Sequence, residues 1–271
     1  MAPGLLGIAS NITTVMANMG VPSHCIREEA SAEGHAPAFV VDSGPGLRQR
    51  RANGPGRRNP ARAVRIRDLP VIQEYATAAK NAVNLAGFDG VEIHGANGYL
   101  VDQFTQDTSN KRTDAWGGSI KNRSRFALEV TKAVVDAVGT DRVGIRLSSF
   151  SPCQGMKMAD PVPQFSYLVE KLKEHSLGFL HLVESRISGN VDIEATEKLD
   201  FAVKIWGRTS PIVLAGGFKP DSAKMAVDQE HKDYDIIIAF GRYFIANPDL
   251  PFPDPEGDSA HPVRPHDLLH S

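Results

Sequence analysis

The chain has little of several things that would narrow its class. Only two cysteines, Cys25 and Cys153, stand in 271 residues, far apart, so neither a disulfide scaffold nor a cysteine metal site is written into it. A reducing compartment, the cytoplasm, is the simplest reading of that scarcity. No apolar run reaches the roughly 18 residues that a membrane span needs. The first 26 residues contain no Lys or Arg, which makes them a poor secretory leader. Neither sign of charge dominates. The formal net charge is −2, so nothing in it calls for nucleic acid or an acidic membrane as partner. With 41% hydrophobic and 23% charged residues, the composition is that of a globular chain, not a fibrous or wholly disordered one.

What is present is alternation. From residue 69 the chain reads as helix 69–87, strand 90–94, helix 122–139, strand 143–149, helix 162–178, strand 179–185, helix 195–207, strand 211–217, helix 220–231 and strand 235–241. Strict alternation implies parallel strands throughout 90–241, and two folds compete: a (β/α)8 barrel and a doubly wound sheet. A dinucleotide-binding sheet would carry a G-x-G-x-x-G turn after its first strand. No strand end here has one. Polar or glycine positions instead follow each strand: His94, Arg146, Glu184, Gly216–Gly217 and Gly241–Arg242. In a barrel all these loops open on one face, where barrel enzymes work. The barrel is the favoured reading.

The barrel is also incomplete. Eight units at roughly 31 residues each would need three more strands ahead of residue 69. The segment 43–67 has eight arginines, four glycines, three prolines and no acidic residue. Like-charge repulsion and Gly/Pro content make it a poor packed element. The expected organisation is therefore an atypical segment 1–65, disordered or loosely packed, a partial barrel 66–252 holding strands 4 to 8, and an irregular tail 253–271.

The stretch Gly90–Leu100, "GVEIHGANGYL", carries the chemistry. A strand ending in His94 puts it at the mouth, with Asn97 and Tyr99 just beyond. His and Asn are donors able to grip one carbonyl oxygen, and Tyr is a hydroxyl able to deliver a proton. The competing reading is a strand cap with an Asx turn. Arg146, mid-strand in "GIRLS", needs an anionic or strongly accepting partner; a core salt bridge and a ligand contact both satisfy that. Gly216, Gly217, Gly241 and Arg242 lie after the last two strands, where barrels often bind phosphate through backbone N–H groups. The loop "RTDAWGGSIKNRSRF" reads as structural, with an Arg112–Asp114 pair and a Gly117–Gly118 turn.

These segments, together with "HLVESRISGNVD" and "IAFGRYFIANPDLPF", resemble the old yellow enzyme family of flavin-dependent ene-reductases over about Arg62 to Phe252. The likeness is greatest to its fungal branch, which includes general enone reductases and enzymes of alkaloid pathways. The resemblance implies FMN at the barrel mouth and NADPH as reductant. It implies an enone or enal substrate whose carbonyl oxygen is bound by His94 and Asn97. Tyr99 would protonate the α-carbon, Arg146 would face the flavin pyrimidine edge, and the glycines with Arg242 would hold the FMN phosphate. No nucleic acid and no membrane are implied as partners; oligomerisation is open, because an unclosed sheet exposes its edges. The family's threonine from the first strand and glutamine from the third have no convincing counterpart in residues 1–60. A second reading follows: a truncated, inactive family remnant that acts at most as a binding protein.

Overall fold

The computed structural model describes residues 12–17, 40–41, 70–185, 187–188, 191–192 and 197–241. In chain order the elements are β1 (Ile12–Ala17), β2 (Val40–Val41), α1 (Pro70–Lys80), β3 (Gly90–Gly95), α2 (Leu100–Thr105), α3 (Ile120–Val138), β4 (Val143–Leu147), α4 (Val162–Lys173), β5 (Phe179–Val183), β6 (Ile187–Ser188), β7 (Val191–Asp192), α5 (Asp200–Trp206), β8 (Ile212–Ala215), α6 (Pro220–Met225) and β9 (Ile236–Ala239). Wider π turns extend α1 over Asn81–Leu85 and α6 over Ala226–Glu230.

Seven strands form one sheet in the order β2-β1-β3-β4-β5-β8-β9, and every neighbouring pair in it is parallel. The five strands expected from the alternation are all present. Two more join them from within residues 1–65, the segment read from sequence as outside the barrel. The run "ITTVMA" of β1 starts with β-branched residues suited to a pleated surface, and it pairs with β3 from Ile12↔Gly90 to Val15↔Ile93.

One expectation is corrected. The strands of 90–241 are not all parallel, because β6 and β7 form an antiparallel pair with Ile187 opposite Asp192. The pair lies in the connection after β5, outside the main sheet. Its signal is a Gly-Asn dipeptide between two short segments, the composition of a tight hairpin.

The period-two pattern of the strands separates two faces. On one, Val91, Ile93, Val143, Ile145, Leu147, Leu180, Leu182, Ile212 and Leu214 join the helices' Tyr75, Phe126, Val130, Leu168, Leu172 and Trp206 in a single apolar core. Burying that face against amphipathic helices is what holds the layer arrangement together. On the other face stand Glu92, His94, Gly144, Arg146, Phe179 and His181. Gly144 is there for room: a Cβ on it would fall 2.1 Å from Phe179 Cζ. Helix α3 starts at Ser119, whose hydroxyl accepts the Asn122 N–H at 3.2 Å, and ends at Gly139 with φ +92°. Among the described residues no helix is long and apolar enough to cross a membrane.

Candidate active site

His94 is the fifth residue of β3 and is buried, and Tyr99 stands immediately before α2, also buried. The chain between them turns back sharply. Asn97 (φ +54°) and Gly98 (φ +82°) are consecutive left-handed residues, a conformation that costs a non-glycine residue and persists only when its surroundings hold it. They do. The Asn97 N–H donates to Ser148 Oγ at 2.8 Å, and Gln154 Nε2 donates to the Asn97 carbonyl at 3.1 Å. The Gly98 N–H donates to Asp102 Oδ2 at 2.9 Å, and Gln103 Nε2 donates to the Gly98 carbonyl at 2.6 Å. The Tyr99 N–H donates to the Ala96 carbonyl at 3.1 Å. As a result the Tyr99 ring meets the His94 ring edge to face, with centroids 4.5 Å apart at 73°.

Strand register builds a polar row beside this pair. His94 is level with Arg146, and Arg146 with His181. One step lower, Glu92 reaches across β4, and its Oε2 lies 2.7 Å from His181 Nδ1. Burial pushes the Glu92 carboxyl up, but His181, Arg146 and His94 outweigh it and hold the group below the usual carboxylate range. Arg146 therefore sits in the field of Glu92 while standing level with His94. Of the two partners considered from sequence, a core anion and a ligand, the structure shows the first, the Glu92 carboxylate, on the same polar face.

The parallel register puts all C-terminal strand ends at one edge of the sheet. Gly216 and Gly217 follow β8 directly and both have positive φ, +116° and +68°. Gly241 follows β9 by two residues, exposed, with no heavy atom among the described residues within 4 Å of where its Cβ would stand. Arg242 lies outside the described residues. The structure thus brings His94, Tyr99 and Arg146 together on one face. It places half-buried Asn97 in the adjoining loop, and the two glycine segments at the same end of neighbouring strands.

The loop before α3 is a structural support. The Arg112 and Asp114 side chains pair, and Asn110 Nδ2 donates to the Phe104 and Trp116 carbonyls at 2.7 Å each. Its Gly118 carries the expected turn, with φ +81°.

Sequence reading missed Glu92, His181, Asp102 and Ser148. Glu92 was within reach, since it precedes His94 by two and period two puts both on one face. His181 and Ser148 needed the register between strands.

A parallel sheet backed by helices, with polar groups gathered at its C-terminal strand ends, defines the class as part of a (β/α) barrel. Residues 61–255 match the NADH:flavin oxidoreductase / NADH oxidase family, and the chain belongs to that family, which includes the old yellow enzymes. It is 60% identical over 181 residues to the chanoclavine-I aldehyde reductase fgaOx3 of Penicillium roqueforti, covering 67% of this chain and 49% of that protein. It is 54% identical over 187 residues to the probable inactive dehydrogenase easA of Claviceps purpurea, with the same coverages. Among solved structures, the old yellow enzyme of a Pichia species matches at TM-score 0.63 and 36% identity, covering 73% of this chain and 50% of that one. Morphinone reductase matches at TM-score 0.64 and 35% identity, covering 73% and 51%. The chain spans about half the length of the curated relatives it matches.

The residues present fit the family's FMN. An isoalloxazine pyrimidine edge and a phosphate both accept hydrogen bonds. The sheet edge offers a guanidinium on the polar face, two consecutive positive-φ glycines, Gly216 and Gly217, after β8, and exposed Gly241 after β9.

Proposed function

We propose that this chain is an FMN-dependent, NADPH-using ene-reductase that reduces the C=C bond of α,β-unsaturated carbonyl compounds, in the setting of fungal secondary metabolism. The observation that carries the reading is the buried His94–Tyr99 pair, held in one row with Arg146. FMN, when bound, supplies the hydride that adds to the alkene β-carbon. His94 and Asn97 donate hydrogen bonds to the substrate's carbonyl oxygen, stabilising the enolate-like charge that gathers there. The Tyr99 hydroxyl delivers the proton to the α-carbon. Arg146 holds the flavin's pyrimidine edge, and Gly216, Gly217, Gly241 and Arg242 hold its phosphate. The family is FMN-dependent, and the chanoclavine-I aldehyde reductase of P. roqueforti is one of its small-molecule enzymes, which supports an enone or enal as substrate. The scarcity of cysteine supports a cytoplasmic setting.

A specific observation favours a second reading. The chain spans 49% of its relatives, and one of them, easA of C. purpurea, is named a probable inactive dehydrogenase. Under this reading the chain is an inactive remnant. One experiment separates the two: the absorption spectrum of the purified chain with added FMN, followed by NADPH oxidation with cyclohexenone. A bound-flavin band and enone-dependent turnover support the reductase. Absence of both, in a folded chain, leaves the remnant.

A further inference from the structure

Asp102 is fully buried in the first turn of α2 and is not one of the groups assigned to chemistry. It touches that chemistry through Gly98. Asp102 Oδ2 accepts the Gly98 N–H at 2.9 Å, and Asp102 Oδ1 accepts Gln106 Nε2 at 2.8 Å. One residue along the helix, Gln103 Nε2 holds the Gly98 carbonyl at 2.6 Å. Both backbone polar groups of Gly98 are therefore gripped by side chains of α2, and Gly98 is the hinge between Asn97 and Tyr99. A Cβ at Gly98 would stand 2.8 Å from Gln154 Cβ, so the grip has no slack on the far side.

We propose that Asp102 is a positioning residue for the Asn97–Tyr99 loop, holding the Gly98 N–H in two protonation states by reversing the direction of its hydrogen bond with Gln106. When ionised, Asp102 accepts from both Gly98 and Gln106. When protonated, it still accepts from Gly98, and its own O–H donates to Gln106 Oε1 once that amide turns over. Gln106 Oε1 is buried with no hydrogen-bond partner in the present orientation; the turnover gives it the Asp102 O–H in exchange for the Gln106 Nε2 bond to Asp102 Oδ1. The ionised acceptor is the stronger, and the clamp tightens with ionisation.

Burial pushes the Asp102 carboxyl up to about 7, against the two bonds from Gln106 and Gly98. The elements packed on α2 carry other titratable groups: Glu92 and His94 on β3, and Lys121, Arg123, Arg125, Glu129, Lys132 and Asp136 on α3. None of these charges sets the Asp102 equilibrium, which burial, Gln106 and Gly98 decide. The switch is thus local to the loop and lies in the physiological range.

The functional meaning of the clamp rests on reading Asn97 and Tyr99 as substrate-facing; the clamp itself does not. Its test is hydrogen exchange of the Gly98 amide in the full chain without flavin, from pH 6 to pH 8, corrected for intrinsic rate. In the unmutated chain the protection factor should rise about three- to tenfold across that range. Asp102→Asn mimics the protonated state, since its amide donates to Gln106 Oε1 and its carbonyl accepts from Gly98; its protection should stay flat at the low-pH level. Asp102→Ala should lose about tenfold or more at every pH. A flat profile in the unmutated chain overturns the proposal, as does an unaltered pH dependence in Asp102→Asn. If Asp102→Ala does not fold, the comparison of Asp102→Asn with the unmutated chain decides alone. Absence of turnover beside the expected exchange profile counts against the reductase reading and not against the clamp.

Discussion

Glu92 and His181 meet at 2.7 Å across an intervening strand, from β3 to β5. On the intervening β4 the residue level with Glu92 is Gly144, which carries no side chain. This buried pair ties β3 to β5 across β4 on the polar face, beside the Phe179 ring that packs over Gly144.

Breaking it should be costly. Glu92→Ala removes one partner of a buried pair, and a loss of about 3 kcal/mol is expected in urea unfolding. The pH dependence has a definite sign. The folded Glu92 carboxyl lies below its usual range, and the unfolded one titrates near ~4.3. The contribution is present above that value and is lost as pH falls through the folded pKa. Glu92→Gln should flatten this acid limb. An identical acid limb in the variant would show that Glu92 contributes nothing to it.

Gly144→Ala tests the packing of the same face. Its Cβ would stand 2.1 Å from the Phe179 ring, and overpacking of this kind costs about 1–3 kcal/mol. Phe179→Leu in the Gly144→Ala background should recover part of the loss. A double-mutant cycle with no coupling would refute the direct contact.

Tyr99→Phe separates proton delivery from carbonyl binding. In stopped-flow measurement of the two half-reactions, NADPH oxidation should keep its rate. Enone reduction should slow by about 10²–10⁴-fold. Equal slowing of both halves would contradict the assigned role. His94→Ala should weaken enone binding as well, since it removes a donor to the carbonyl; losing one such donor costs about 10²–10³ in rate.

Arg146→Leu tests cofactor retention. Loss of a charge-assisted hydrogen bond is worth about 1.5–3 kcal/mol, so FMN affinity in a fluorescence titration should fall by about tenfold or more. An unchanged Kd would assign Arg146 to the core charge set of Glu92 alone.

Much of this molecule is local in origin and was legible as such. Helices α1, α3, α4, α5 and α6 and strands β3, β4, β5, β8 and β9 follow from apolar spacing and from glycine stops such as Gly87 and Gly139, because side-chain period and backbone freedom are properties of short segments; α2, β6 and β7 were not read from it. His94, Asn97 and Tyr99 could be singled out for the same reason: they are neighbours in the chain. Helix lengths were overestimated where apolar spacing outran the hydrogen-bonded turns, as in 162–178, which ends at Lys173.

Relations between segments had no such signature. That Ser148 holds Asn97, that His181 balances Glu92, and that β1 lies beside β3 are consequences of strand register. Register is set by which faces bury together, and that is a sum over distant residues. Asp102 shows the division in a single side chain. The sequence by itself determined only a carboxyl four residues after Gly98; the helix that brings it back to the Gly98 N–H came from the structure. Only the tertiary structure decided that this carboxyl is fully buried, because the packing of α2 against β3 and α3 removes it from water and raises its pKa toward neutrality.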